Sequence, residues 1–198
     1  MDWHALKRYW RIEVMGGEDK PLKIKRMLRR ILHKELEHYL FWFRLAQYLH
    51  RRPKGLLNYP KIARRIHGRL VREHGVDIML AAEIGAGLTI PHRTGIVIAD
   101  AARIGENLFI RQNTTIGVRA SGQKGFIYIG DNVELGANAC IIGNNIRIGD
   151  NVTVGAMAFI NMDIPDNSTC YTRHVATIRR KDGGDAGPDS IVLAQGAR

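Results

Sequence analysis

The sequence predicts a mainly β chain: a left-handed parallel β-helix preceded by a short, basic α-helical segment. Three observations predict it. Aliphatic residues recur at steps of six through most of residues 76–165. Apolar residues recur at steps of three and four before residue 50. Positive charge is confined to the N-terminal part: residues 1–75 hold 19 Lys and Arg against 7 Asp and Glu, and residues 76–198 hold 11 against 12.

The first element in chain order is helical. In "PLKIKRMLRRILHKELEHYLFWFRLAQYLH" the apolar residues Leu28, Ile31, Leu32, Leu36, Leu40, Phe43 and Tyr48 keep the period of an amphipathic helix. The run "YLFWFRLAQYL" (39–49) is interrupted by Arg44 and falls short of the roughly 20 residues that span a bilayer. Two readings of this basic amphipathic segment stay open. Its apolar face packs on the rest of the fold or across a trimer, with the charge solvated; or it lies on an anionic membrane surface as a peripheral contact. "RRPKG" (51–55) breaks the pattern, and a second basic helix is expected from about Pro60 to Arg72, stopped by Gly75.

The period then changes. Ile, Leu or Val falls at 78, 84, 90 and 96; at 104, 110 and 116; at 129, 135 and 141; and at 148, 154 and 160. A six-residue step is the hexapeptide repeat of a parallel β-helix. Each hexad supplies a short strand and a corner, its aliphatic residue points inward, and stacked coils bury one another's faces. The register slips are informative. "ADAA" widens a corner before Ile104, an extra residue falls between Ile141 and Ile148, and "GVRASGQKGFIY" (117–128) reads as a loop extruded from the coil. The expected organisation is a helical segment over 1–75, a β-helix over 76–165 and a C-terminal extension over 166–198.

Composition narrows the function. Two cysteines, Cys140 and Cys170, make neither a disulfide framework nor a zinc cluster. With no apolar stretch of signal-peptide length at the N-terminus, the simplest setting is a reduced, cytoplasmic one, including the inner face of a membrane. The β-helix carries one histidine, His92, so a three-histidine zinc site is not expected there and no metal is expected as a cofactor. A basic nucleic-acid-binding module on an inert scaffold is a non-enzyme alternative, but no compact nucleic-acid motif accompanies the charge.

The stretch "GVDIMLAAEIGAGLTIPHRTGIVIADAARIGENLFIRQNTTIG" resembles the serine acetyltransferase branch of the hexapeptide acyltransferases, over about Gly75 to Pro165. The resemblance implies an acetyl-CoA-dependent O-acetyltransferase working as a homotrimer or dimer of trimers, with active sites between neighbouring β-helices. His92, in "HRTGIVI", takes the place of the general base, and Asp77, in "VDI", that of the carboxylate orienting it. The chemistry suits those residue types: imidazole titrates near working pH, and a carboxylate on its other nitrogen fixes the tautomer. Acetyl-CoA would meet the small residues Ala137 and Ala156, the Gly117–Val118 turn as an oxyanion donor, and Arg179, Arg180 and Lys181 at the nucleotide phosphates. The alanines equally suit a tight corner, and the basic run a solvated tail.

The departures fall on the acceptor side. The branch carries an aspartate just before the base, where this chain has Pro91, and an Arg-His pair in the extruded loop, where this chain has Phe126 and Ile127. A serine zwitterion needs paired charges to hold it. Arg93, Arg111, Gln112, Asn113 and Phe126 instead suggest a sugar, and the basic residues among them an anionic one. The expected acceptor is therefore a sugar hydroxyl of a bacterial polysaccharide or capsule precursor, as in the exopolysaccharide O-acetyltransferases of this branch. Serine, for cysteine biosynthesis, is the alternative.

Overall fold

The computed structural model describes residues 1–53, 57–119 and 125–173. Four α-helices come first: α1 (Trp3–Tyr9), α2 (Ile24–His33), α3 (Glu35–His50) and α4 (Tyr59–His74). Asp2 caps α1 by accepting from the Ala5 N–H. The chain then runs on as a wider π-helical turn over Trp10–Met15, ended by Gly16 at φ 84°. This stretch falls in the expected helical segment, though no separate element was placed in it; its buried Leu6, Trp10 and Val14 meet Ile31 of α2 in a small core of their own.

The single long helix expected over residues 21–50 is two helices. Lys34 is extended (φ −130°, ψ 111°) and separates α2 from α3. One straight helix could not place Ile31 against α1 and also Tyr39, Leu40 and Phe43 against the β-helix; the break lets each face find its partner. α4 begins at the Asn58 cap with Pro60 in its first turn, and Gly75 ends it in the left-handed region (φ 63°).

Thirteen short strands follow, β1 to β13, from Val76–Ile78 to Thr169–Cys170. All pairing is parallel. The strands visit three sheets in turn. The first holds β1 (Val76–Ile78), β3 (Ile96–Ile98), β6 (Thr115–Gly117), β9 (Cys140–Ile142) and β12 (Phe159–Ile160). The second holds β2 (Glu83–Ile84), β4 (Ala102–Ile104), β7 (Ile127–Ile129) and β10 (Ile146–Ile148). The third holds β5 (Phe109–Ile110), β8 (Glu134–Leu135), β11 (Thr153–Val154) and β13, and Thr89 extends it by a bridge to Phe109. Each coil therefore contributes one strand per sheet, a triangular parallel β-helix whose pairing runs on to Cys170.

Every aliphatic position of the six-residue register is buried, from Ile78 to Ile160. A second inward set was not foreseen: Val76, Ala102, Ile127 and Ile146 sit two residues before a register position on three-residue strands, and Ile98 sits two residues after Ile96. At one corner Asp131 and Asp150 take backbone N–H groups of the preceding coil, from Glu106 (2.6 Å) and Asp131 (2.7 Å). Asn107, Asn132, Asn151 and Asn167 bond one to the next beside them, all at positive φ. Asparagine tolerates that conformation and satisfies corner groups left without a strand partner.

The helices close the open end of the first coil through a buried charge. Arg44 and Glu13, both without exposure, meet at 2.6 and 2.9 Å. Arg44 also donates to the carbonyls of Ile84 and Gly85, Gln47 to that of Ala82, and Glu13 accepts from the Gly87 and Leu88 N–H groups. The run "YLFWF" is spent on packing: Tyr39, Leu40 and Phe43 are buried, and Phe41 stacks on Trp10 at 4.6 Å. That removes these side chains from any membrane contact. Among the described residues, no helix is long and apolar enough to cross a membrane.

Candidate functional site

His92 sits on the corner between the third sheet and the first, outside the inward register, with its side chain exposed. Its carbonyl accepts from the Thr94 N–H at 3.1 Å, which tightens the corner. Later coils repeat this corner in a stacked column. Asn113 donates its backbone N–H to Thr94 (2.9 Å), Asn138 to Gln112 (3.0 Å) and Met157 to Ala137 (2.8 Å). The column therefore brings together His92 and Arg93, then Arg111, Gln112 and Asn113, then Ala137, then Ala156 beside Met157. These are the expected base, most of the expected acceptor contacts and both expected cofactor alanines, aligned along one edge.

The edge is low where a long ligand would lie. A Cβ on Gly136 would approach the Ala156 backbone to 2.5 Å, so these corners are small because the coils touch. Gln112 Oε1 is shielded from solvent with no hydrogen-bond partner, whereas Arg111 is engaged by Glu134 at 3.1 Å.

Other expected residues are elsewhere. Gly117 and Val118 lie at the opposite end of the first sheet's strands, and the nearby Thr115 N–H is committed to the Ala139 carbonyl (3.0 Å), so this turn does not stand ready as an oxyanion donor beside His92. Phe126 lies on the second sheet's side, under the Arg103 guanidinium (4.5 Å) and 6.0 Å from the Tyr128 ring. Outward side chains there belong to a different face of the triangle from the His92 corner. Arg179, Arg180 and Lys181 fall outside the described residues.

Asp77 is at the centre of β1 and heads an outward row on the first sheet, followed by Val97, Thr115, Cys140 and Phe159. Burial pushes the Cys140 thiol above its usual range, keeping it protonated. Asp77 does not hydrogen-bond His92 in this chain. Its Oδ1 faces Nε2 of His67, on α4, at 3.3 Å, an ion-pair distance without the alignment of a hydrogen bond. The carboxylate expected to orient the base is thus drawn to another imidazole, because α4 lays the face bearing His67, Leu70 and His74 over β1.

His38, His67 and His74 are half-buried at the junction. Burial, with Arg93 and His38 nearby, lowers the pKa of His74 and keeps it neutral. Their spacing on α4 (67, 70, 74) was a readable signal, since those positions share one helical face.

One residue of the candidate site had no local signal. Glu35, the first residue of α3, forms an ion pair with Arg93. Arg93 is mostly enclosed, at 14% side-chain exposure, whereas Glu35 projects at 80%, and Arg93 Nε has no partner. An enclosed cation and an exposed carboxylate, paired with each other, therefore stand at the residue that follows His92.

No family model matches the chain. It is similar to the serine acetyltransferase of Helicobacter pylori (33% identical, covering 50% of this chain and 66% of that protein). It is also similar to serine acetyltransferase 2 of Arabidopsis thaliana (36%, covering 44% and 25%). The match thus spans about a quarter of the plant relative's length. Among solved structures, soybean serine acetyltransferase superimposes with a TM-score of 0.67 at 29% identity, covering 86% of this chain and 67% of that one. The Neisseria gonorrhoeae serine acetyltransferase in complex with serine gives 0.61 at 31%, covering 88% and 64%. These relatives are named for serine; none of them is named for a polysaccharide. Sequence and fold together show a hexapeptide-repeat chain similar to serine acetyltransferases.

Proposed function

We propose that the chain is an acetyl-CoA-dependent O-acetyltransferase whose acceptor is serine or a similarly small hydroxy amino acid. The observation that carries the acceptor is the Arg93–Glu35 pair beside His92. A zwitterion needs a cation for its carboxylate and an anion for its ammonium. The pair supplies both, in place of the carboxylate missing at Pro91 and the missing loop Arg-His.

His92 removes the hydroxyl proton as the oxygen attacks the thioester carbonyl. The tetrahedral oxyanion collapses, the C–S bond breaks, and the proton passes from the imidazolium to the departing CoA sulfur. Asp77, which faces His67 at 3.3 Å, stabilises the imidazolium only on turning away from α4 towards His92. The pantetheine arm runs along the column past Ala137 and Ala156. Exposed Val97, Phe159, Met162 and Tyr171 on the outer face support burial against neighbouring β-helices in a trimer, whose grooves would hold the ligands.

A saccharide acceptor is the second reading, favoured by Pro91 and by the Phe126–Tyr128 pair. Within one chain that pair lies on a different face from His92, so this reading needs a neighbouring subunit to bring the two together.

Thiol release from acetyl-CoA, with serine and with neutral and anionic oligosaccharides, tests the proposal. Serine turnover is expected, with about a 100-fold or greater loss in His92→Ala and a raised serine KM in Glu35→Gln. Turnover of a saccharide but not serine overturns the acceptor. Full activity in His92→Ala overturns the base.

A further inference from the structure

The junction of α3, α4 and β1 brings two imidazoles and a carboxylate together. One ring nitrogen each of His38 and His74 and a carboxylate oxygen of Glu73 lie within 4.8 Å of one another. His38 comes from the first turn of α3, and Glu73 and His74 from the last turn of α4.

Each group is prepared by its surroundings. Nδ1 of His38 lies 3.2 Å from the Ile31 carbonyl. Donating there leaves the Nε2 lone pair free, the arrangement usual for a metal-bound imidazole. Nε2 of His74 is closed off from solvent and has no hydrogen-bond partner, a costly state for a ring nitrogen unless something binds it. Arg69 donates to Glu73 Oε1 at 2.7 Å, which fixes the carboxylate and leaves Oε2 available. The two ring centroids are 6.0 Å apart. An ion about 2.1 Å from two imidazole nitrogens holds their centroids roughly 5–6 Å apart. The nearby Arg93 is neutralised by Glu35.

We propose that His38, His74 and Glu73 form a binding site for a zinc-class divalent cation, which ties the start of α3 to the end of α4 above β1. Two imidazoles and one carboxylate suit Zn²⁺; Mg²⁺ and Ca²⁺ require more oxygen ligands. Three ligands leave a coordination position open, and a cavity of about 170 Å³ lined by His38, Trp42, Ile66, Arg69, Leu70 and Glu73 gives room for a water there. The site is independent of the acceptor and of His92.

The test is titration of the chelator-stripped full chain with Zn²⁺, followed by calorimetry and thermal melting. One Zn²⁺ per chain and a raised melting midpoint are expected. Both should be lost in His74→Ala and His38→Gln, and both kept in His33→Ala. Arg69→Ala should weaken binding about tenfold, and Mg²⁺ should have no effect. Should His74→Ala fail to fold, His38→Gln and Glu73→Gln carry the test. Absence of Zn²⁺ binding, or binding unchanged in His38→Gln and Glu73→Gln, overturns the proposal.

Discussion

Replacing Arg44 by Met should destabilise the chain more than an ordinary core substitution. The guanidinium is wholly buried and bonds both carboxylate oxygens of Glu13, the carbonyls of Ile84 and Gly85, and Gln47 Oε1. It also packs over the Tyr9 ring at 4.1 Å. Burial by itself would push Arg44 towards neutrality; the adjacent Glu13 carboxylate outweighs this and holds it charged. Met fills much of the volume but leaves the Glu13 charge buried and two carbonyls without donors. Breaking one side of a buried pair costs about 3–5 kcal/mol, a large part of the roughly 5–15 kcal/mol that holds a domain together. Urea unfolding should show that loss, and the melting midpoint should fall by about 6–20 °C, at roughly 2–4 °C per kcal/mol for a chain this size. Glu13→Leu combined with Arg44→Met removes the orphaned charge and should recover more than about 1.5 kcal/mol relative to Arg44→Met alone. A loss below about 1 kcal/mol in Arg44→Met, or no recovery in the double variant, refutes the account of this pair as an ionic clasp on the first coil.

Four further outcomes follow from particular contacts. Gly105→Ala would place a Cβ 2.1 Å from Asp131 Oδ1 and 2.8 Å from the Gly130 backbone; urea unfolding should register a loss of roughly 1–3 kcal/mol. Gly68→Ala, in open space on α4 with Arg72 Nη1 at 3.5 Å, should instead stabilise by up to about 1 kcal/mol. Ala156→Leu should raise the acetyl-CoA KM at least tenfold with an unchanged far-ultraviolet spectrum; an unchanged KM would remove this corner from the cofactor path. Arg8 bonds Glu106 at 2.7 Å and holds its carboxyl below the usual range. A depressed carboxyl stabilises the fold above its unfolded pKa, and that contribution is lost as pH falls. Both partners are substantially exposed, so Arg8→Ala should cost only about 0.2–1 kcal/mol at neutral pH. The difference from the parent should vanish on acidification well below pH 4.5 and shrink in salt.

The β-helix was legible because its signal is local and repeated. One inward aliphatic per hexad is enough to place every coil, and the end of α4 at Gly75 follows from a break in the helical pattern. Within the helical segment expected over 1–75, the stretch over Trp3–Met15 was not placed as an element of its own, although Leu6, Trp10 and Val14 keep a step of four. Nor was the break at Lys34, which exists because two neighbouring faces must meet different partners. At the site, the sequence marked His92, the stacked Arg111–Asn113 corner and the two alanines. The Gly117–Val118 turn and Phe126 lie at other corners of the same chain, because a position along the chain does not say which of three corners it occupies.

The sequence alone determined the architecture and the residue at the reactive corner, because a six-residue period constrains each coil through its immediate neighbours. The tertiary structure decided what surrounds that residue. Glu35 reaches Arg93 across 58 positions, and His67 reaches Asp77, only because α3 and α4 fold back over the first coil. Whether two charges meet there depends on how helix faces dock, and the contact energy that holds them, buried apolar surface and the Arg44–Glu13 clasp, comes from residues remote from the site. No local period encodes such a meeting, so the Arg93–Glu35 pair on which the acceptor proposal rests emerged only from the folded chain.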